Sequence, residues 1–144
     1  MKNLAFTLWL MMASAMISFA QTTEEKKVDP DASEIVFTET THDFGKVKFA
    51  ADCEFEFEFK NTGKTDLLLT NVRPSCGCTA VTGWQEIGPV KKGKKAKIKI
   101  KYDSKRVGPF NKTITVTSNA KNDPVILTIK GEIEPQERAD APKN

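Results

Sequence analysis

Residues 53–60 alternate without a break. On an extended chain Cys53, Phe55, Phe57 and Phe59 fall on one side, and Glu54, Glu56, Glu58 and Lys60 on the other. A helix would scatter those rings around its circumference, whereas a strand lines them along one face. Residues 96–102 repeat the device: Ala96, Ile98, Ile100 and Tyr102 alternate with Lys97, Lys99 and Lys101. Segments of this kind require a sheet with one apolar face, and a second layer to cover it.

The rest of the middle hundred residues supplies that second layer. Further strands are expected over residues 34–38, 42–49, 67–72, 113–117 and 125–133, with a kink at Gly45 and a brief pairing over 79–81. In 113–117, Ile114 and Val116 point inward; in 125–133, Val125, Leu127, Ile129 and Ile133 do. Asn61-Thr62-Gly63-Lys64, residues 89–93 and residues 119–124 carry turn chemistry, and Pro74 breaks the strand before it. Helical periodicity is absent. The expected fold is all-β, an immunoglobulin-like β-sandwich of about seven strands.

The flanks divide the chain. Met1-Lys2-Asn3 carries one positive charge, residues 4–17 are almost wholly apolar, and Ser18-Phe19-Ala20 ends in a small residue. This is the three-part pattern of a cleaved export signal. The apolar run is shorter than the roughly 20 residues that span a bilayer. Four segments are therefore expected: a signal peptide over 1–20, a flexible N-terminal segment over 21–33, the sandwich domain over 34–133 and a disordered tail over 134–144. Cleavage after Ala20 leaves 144 − 20 = 124 residues, and the loss of Lys2 takes the net charge from +3 to +2. No later stretch is apolar enough to span a membrane. The expected location is periplasmic or extracellular, soluble after signal cleavage.

A near-neutral balance gives no general argument for nucleic acid. The lysines at 91, 92, 94, 95, 97, 99 and 101 form a basic stripe, but no aromatics for base stacking are interleaved among them. If the Glu54 strand and the Lys97 strand are neighbours, as in immunoglobulin-like sheets, the two rows face each other and the stripe is structural.

Chemistry could sit at Ser75-Cys76-Gly77-Cys78-Thr79. In a straight strand, residues i and i+2 lie about 6.6 Å apart, near the upper limit for a disulfide. Gly77 offers backbone freedom to bend the chain and bring the sulfurs together. Three readings stay open for Cys76 and Cys78: a local disulfide or reactive dithiol, a soft-metal pair for an ion such as Cu(I), or small residues packed at a turn with one bridged to Cys53. Cys53 lies on the apolar side of its strand, where the default is a buried, inert thiol.

His42 and Asp43 are adjacent on an expected strand and point to opposite faces, so they are not a catalytic pair. A positioned acceptor in a loop or cap is the reading preferred for them. With one His in the chain, no Ser-His-Asp arrangement can be assembled. No phosphate loop, zinc quartet or calcium loop is present, so no catalytic residue, metal ligand or cofactor is assigned. Asn111-Lys112-Thr113 matches the N-glycosylation acceptor, a tripeptide common by chance.

Three blocks carry a family resemblance: Thr41-His42-Asp43-Phe44-Gly45, Phe57-Glu58-Phe59-Lys60-Asn61-Thr62-Gly63 and Ser75-Cys76-Gly77-Cys78-Thr79. With Gly108-Pro109-Phe110-Asn111-Lys112, Ser118-Asn119 and Gly131, they resemble the signature of the bacterial exported domain-of-unknown-function family 1573. The resemblance spans roughly residues 34–133. It implies an immunoglobulin-like sandwich similar to Hydin-type and major sperm protein domains, whose members mostly bind other proteins. Cys76 and Cys78 are the residues it offers as functional; His42, Asp43, Gly45, Asn61, Gly63 and Gly77 read as structural. Cys53 is outside the pattern, and Ala50-Ala51-Asp52 stands where many relatives have a small residue such as Gly.

The expected role is a non-enzymatic binding or structural module of the cell envelope with a protein or glycan partner. The rival is a thiol-disulfide or copper-type protein acting through Cys76-Gly77-Cys78.

Overall fold

The computed structural model describes residues 29–136, so the apolar segment read as an export signal lies outside the described residues. Eight strands follow one another: β1 (Ile35–Phe37), β2 (Thr41–Val47), β3 (Glu54–Asn61), β4 (Leu69–Pro74), β5 (Thr79–Thr82), β6 (Lys95–Tyr102), β7 (Gly108–Ser118) and β8 (Val125–Ile133). They form two four-stranded sheets, in the orders β1-β3-β6-β5 and β2-β8-β7-β4. The described residues contain no helix. The alternating segments became β3 and β6, paired antiparallel with Phe57 opposite Ile98 and Glu56 opposite Lys99.

Strand β7 begins five residues before the segment expected from alternation. Its first part, Gly108-Pro109-Phe110-Asn111-Lys112, has no clean alternation, and Pro109 lacks an N–H. The register explains the tolerance. β8 pairs with β7 along its length from Gly108, but β4 pairs only from Ile114 onward. One side of β7 at Pro109 therefore has no strand to bond, and proline is accepted there.

Between the sheets lies one continuous core. Phe57, Leu67, Ile98, Ile100, Ile114, Leu127 and Ile129 are fully buried within it. Toward β2 the core is aromatic. Tyr102 stacks on Phe110 with centroids 3.9 Å apart, and Phe55 meets Phe57 edge-on at 4.9 Å.

The outer face of the β3–β6 pair is an ion-pair ladder. Lys95 bonds Glu58 at 2.7 Å, Lys97 bonds Glu56 at 3.0 Å, and Glu54 takes Lys99 at 2.6 Å and Lys101 at 2.7 Å. Lys95, Lys97 and Lys99 reach diagonally past their register partners, whereas Lys101 bonds Glu54 directly opposite. Hydrogen bonds from Lys101 and then Lys99 hold the Glu54 carboxyl down to about 2. The four lysines of β6 are thus paired within their own sheet, while Lys91, Lys92 and Lys94 lie outside the ladder.

At β1 the sheet ends on asparagine side chains. Asn61 Oδ1 accepts from the N–H of Gly63 (3.0 Å) and Glu34 (3.4 Å), and its Nδ2 donates to the carbonyls of Thr65 and Val90, both at 2.8 Å. Asn122 accepts from Ile35 N–H and donates to Ile35 C=O, replacing a missing neighbouring strand. The folded body reaches back to Ser33, which is buried and donates to Asn119 Oδ1 at 3.0 Å.

Candidate functional site

Strands β4 and β5 are edges of different sheets, and the cysteine motif is the chain that passes between them. Ser75 prolongs the β4–β7 ladder: its N–H donates to Thr113 C=O at 2.9 Å, and its Oγ accepts from Thr113 N–H at 3.2 Å. The chain then leaves that sheet. Cys78 C=O accepts from Asp103 N–H at 2.9 Å, at the end of β6, which fixes the arrival point in the other sheet.

Between those anchors, Thr79 N–H donates to Cys76 C=O at 3.3 Å. This closes a four-residue turn with Gly77 and Cys78 at its centre. The turn shortens the Cys76–Cys78 Cα separation to 5.3 Å, and the two sulfurs are joined as a disulfide. The backbone freedom expected of Gly77 is not used. Its φ lies outside the left-handed region, and a Cβ there would meet nothing within 4 Å. The bend comes from an ordinary turn that other residues can adopt.

The two sulfurs differ in surroundings. Cys78 is only 7% exposed, whereas Cys76 is half-buried. Thr79 is buried, and its Oγ1 lies 3.9 Å from Cys76 Sγ and 4.0 Å from Cys78 Sγ, the outer range for a hydroxyl–sulfur bond. A shallow groove of about 230 Å³ runs along Gly77, Cys78, Ala80, Lys101, Tyr102 and Asp103. Thr79 was within the motif but carried no sequence signal of its role; only the pairing of Thr79 with Tyr102 turns its side chain inward.

Energetics say what this bridge does not do. It closes a ring only two residues apart in sequence. On the chain-entropy account such a short loop stabilises by only about 1–2 kcal/mol, against 3 or more for long loops. As a staple the bridge is weak.

Cys53 is the remaining thiol, free and 1% exposed. Burial, and then the charge of Asp52, push it up to about 11, so it is protonated at neutral pH. Its C=O bonds Tyr102 N–H on one side of β6, while Thr79 pairs with Tyr102 on the other. Tyr102 therefore separates Cys53 from the bridge by two strand spacings, about 10 Å.

His42 and Asp43 lie in β2, at the opposite lateral side of the sandwich, and do not approach the cysteines. His42 points inward, stacked on Phe55 with centroids 3.6 Å apart, and meets Phe44 edge-on at 4.6 Å. Asp43 is the acceptor of the pair: its Oδ1 takes the Gly45 N–H at 2.8 Å. That bond, with help from Lys130, holds its carboxyl below the usual range. Gly45 has φ 62°, and the β2–β8 register shifts between Asp43 and Lys46, which is the kink expected there.

Asn61 and Gly63 build the turn that anchors the start of β1. A Cβ on Gly63 would strike the backbone of Ala32, Ser33 and Glu34. Asn122 was missed by the sequence reading, because a turn asparagine gives no hint that it will bond the main chain of a residue 87 positions away. A groove of about 610 Å³ lies over the Glu–Lys ladder, where Glu54, Glu56, Glu58, Lys97 and Lys99 already have partners.

The outer face of the β2-β8-β7-β4 sheet is different in kind. Register sets Thr41, Thr128 and Thr113 side by side across three strands, with Ser75 bonded to Thr113 beyond them. Ile126, Thr115 and Arg73 form the next rank, and Thr117 and Asn71 the one after. Ile126 is 48% exposed at its centre. Apart from Arg73, charge gathers toward the far end, where Lys130 and Asp43 pair at 3.4 Å.

Solved structures of similar shape share this architecture at low identity. A protein of unknown function from Porphyromonas gingivalis W83 superposes with a TM-score of 0.63 at 15% identity, over 74% of this chain and 50% of its own. The ASH/PapD-like domain 7 of human CEP192 gives 0.58 at 13% identity, over 76% of this chain and 91% of that domain. WR4, a C. elegans member of the MSP family, gives 0.51 at 15% identity, covering 70% and 98%. The chain thus spans half the length of the Porphyromonas protein, and the likenesses show the fold. No protein of curated function matches the sequence. Over residues 35–133, nearly the whole of the two sheets, the sequence matches the model of the protein family of unknown function DUF1573, and the chain belongs to that family.

Proposed function

We propose that this is an exported, non-enzymatic binding module of the cell envelope, and that it docks a protein partner on the outer face of the β2-β8-β7-β4 sheet. One observation carries the reading: the two outer faces differ. The face of β3 and β6 is occupied by an ion-pair ladder of its own. The opposite face presents threonine, asparagine, one arginine and an exposed isoleucine, with few charges. Interface centres are depleted in charge and enriched in arginine and apolar anchors. The ASH/PapD-like domain of human CEP192 has the same sandwich fold, the scaffold such a module would use. The outward residues of that face include no aromatic ring for a sugar to stack on, which favours protein over glycan.

The test is capture from envelope extract with the purified protein and two variants. Ile126→Glu places a charge at the centre of the proposed face and should abolish recovery of the wild-type partner. Glu56→Lys, on the ladder, should leave it intact. Equal recovery with Ile126→Glu, or no partner for the wild type, contradicts the proposal.

A second reading, thiol exchange at Cys76 and Cys78, is favoured by the bridge itself. It lies on a surface turn, leaves one sulfur half-exposed and contributes little as a staple.

A further inference from the structure

The geometry points to a polarised exchange site: an external thiolate attacks Cys76 Sγ, and Cys78 leaves toward the hydroxyl of Thr79. This inference rests on the thiol reading and adds the direction of the reaction and a residue that assists it.

Three independent features converge. The first is access. Thiol–disulfide exchange needs the attacking sulfur in line with the bond it breaks, so the sulfur that faces solvent is the one attacked. Cys76 is half-buried on the turn, while Cys78 is 7% exposed and faces the core. The second is the fate of the leaving sulfur. A departing thiolate in an apolar setting needs a donor, and the Thr79 hydroxyl lies 4.0 Å from Cys78 Sγ. Thr79 is 3% exposed and its hydroxyl lies 3.9 Å from Cys76 Sγ and 4.0 Å from Cys78 Sγ, so its proton can turn toward the charge. The third is retention. Cys78 is pinned by the Asp103 bond to its carbonyl, and Ser75 is pinned to Thr113, so Cys78 stays close to Cys76 after the bridge opens. It is placed to resolve a mixed disulfide by attacking back.

The external thiolate forms a bond to Cys76 Sγ, and the Cys76–Cys78 bond breaks with its electron pair leaving on Cys78. The external sulfur is thereby oxidised and Cys78 reduced, and the Cys78 thiolate, held by the Thr79 hydroxyl, takes a proton from water. A second external thiolate attacking the mixed disulfide completes reduction of the pair. Oxidation by an external disulfide runs the same path in reverse. Cys53 takes no part, because Tyr102 stands between it and the bridge.

The experiment uses the purified wild-type protein and reduced glutathione. The reaction is quenched with acid and alkylated, and the mixed disulfide is located by mass spectrometry of a non-reduced digest. Glutathione should be found on Cys76 at least about tenfold more often than on Cys78. Equal labelling, or preference for Cys78, overturns the polarity while leaving exchange itself intact. A bridge that resists glutathione under conditions that reduce a free Cys-Gly-Cys peptide overturns the thiol reading as a whole. A cysteine-containing peptide run beside glutathione separates the sources: faster reaction of the peptide assigns a protein thiolate, and equal rates assign small thiols. Thr79→Val should slow opening by about fivefold, and Thr79→Ser should restore it. An unchanged rate in a folded Thr79→Val protein removes Thr79 from the mechanism.

Discussion

The sandwich has two lateral sides, and they are closed by different means. On the β1/β2 side the closure is non-covalent and extensive. His42 stacks on Phe55 across the gap between sheets, Asn122 bonds both main-chain groups of Ile35, and Asn61 gathers four bonds at the root of β1. On the β4/β5 side a single short turn with a disulfide makes the crossing. The difference teaches that a covalent bond need not mark the most stable place in a fold. The stacked and hydrogen-bonded side is held by several side chains at once; on the bridged side the covalent bond links residues only two apart in sequence.

The sharpest way to break this contrast is at its glycines. In Gly63→Ala, the new methyl must enter space held by the backbone of Ala32, Ser33 and Glu34, which no rotamer change can clear. A loss of about 3 kcal/mol is expected in urea unfolding, at the upper end for overpacking. The matched change on the other side, Gly77→Ala, meets nothing and should fall within about 0.5 kcal/mol of wild type. Comparable losses for the two would show that the sides are equivalent.

Next in size is Phe55→Ala, which removes the ring that His42 and Phe57 both contact. Because Phe55 is only partly buried, the expected cost is about 2 kcal/mol, below the range for fully buried rings. Thermal unfolding of the variant checks it. Opening the bridge, by dithiothreitol or by Cys76→Ser with Cys78→Ser, should cost about 1–2 kcal/mol, less than Phe55→Ala. A loss larger than that of Phe55→Ala would make the bridge a staple after all.

How much of this was legible beforehand follows from the range of each interaction. Alternation is local, so β3 and β6, their inward rings and their facing charge rows could be read from residues 53–60 and 96–102. The kink at Gly45 and the turn at Asn61-Thr62-Gly63 could be read as well, since turn chemistry is also local. The early start of β7 could not, because acceptance of Pro109 depends on where β4 ends. Neither the inward turn of Thr79 nor the capping of β1 by Asn122 has a local cause; both depend on strand register. The cysteine motif stood out, but its spacing left three readings open, and the turn that joins Cys76 to Cys78 left Gly77 without the special role expected for it.

The smallest effect concerns the charged ladder. The Glu54 carboxyl is held down to about 2 by Lys101 and Lys99, below the unfolded value near 4.3. A depressed carboxylate contributes stability that is fully present above the unfolded value and is lost as pH falls through the folded one. Its contribution should thus fade between about pH 4.5 and about pH 2, and be small because the pair is solvent-exposed and screened. Carboxyl titration by NMR should place Glu54 well below the ordinary glutamate range, and salt should narrow the gap. A Glu54 that titrates with ordinary glutamates would mean the ladder does not hold in solution.

Hydrogen exchange read by mass spectrometry, before and after reduction of the bridge, addresses the two-sided picture most directly. Faster exchange should be confined to residues 75–82, the turn and β5, with the peptides that carry β1, β2 and β8 keeping their protection. Loss of protection throughout both sheets on reduction would show instead that the Cys76–Cys78 bond holds the whole fold together.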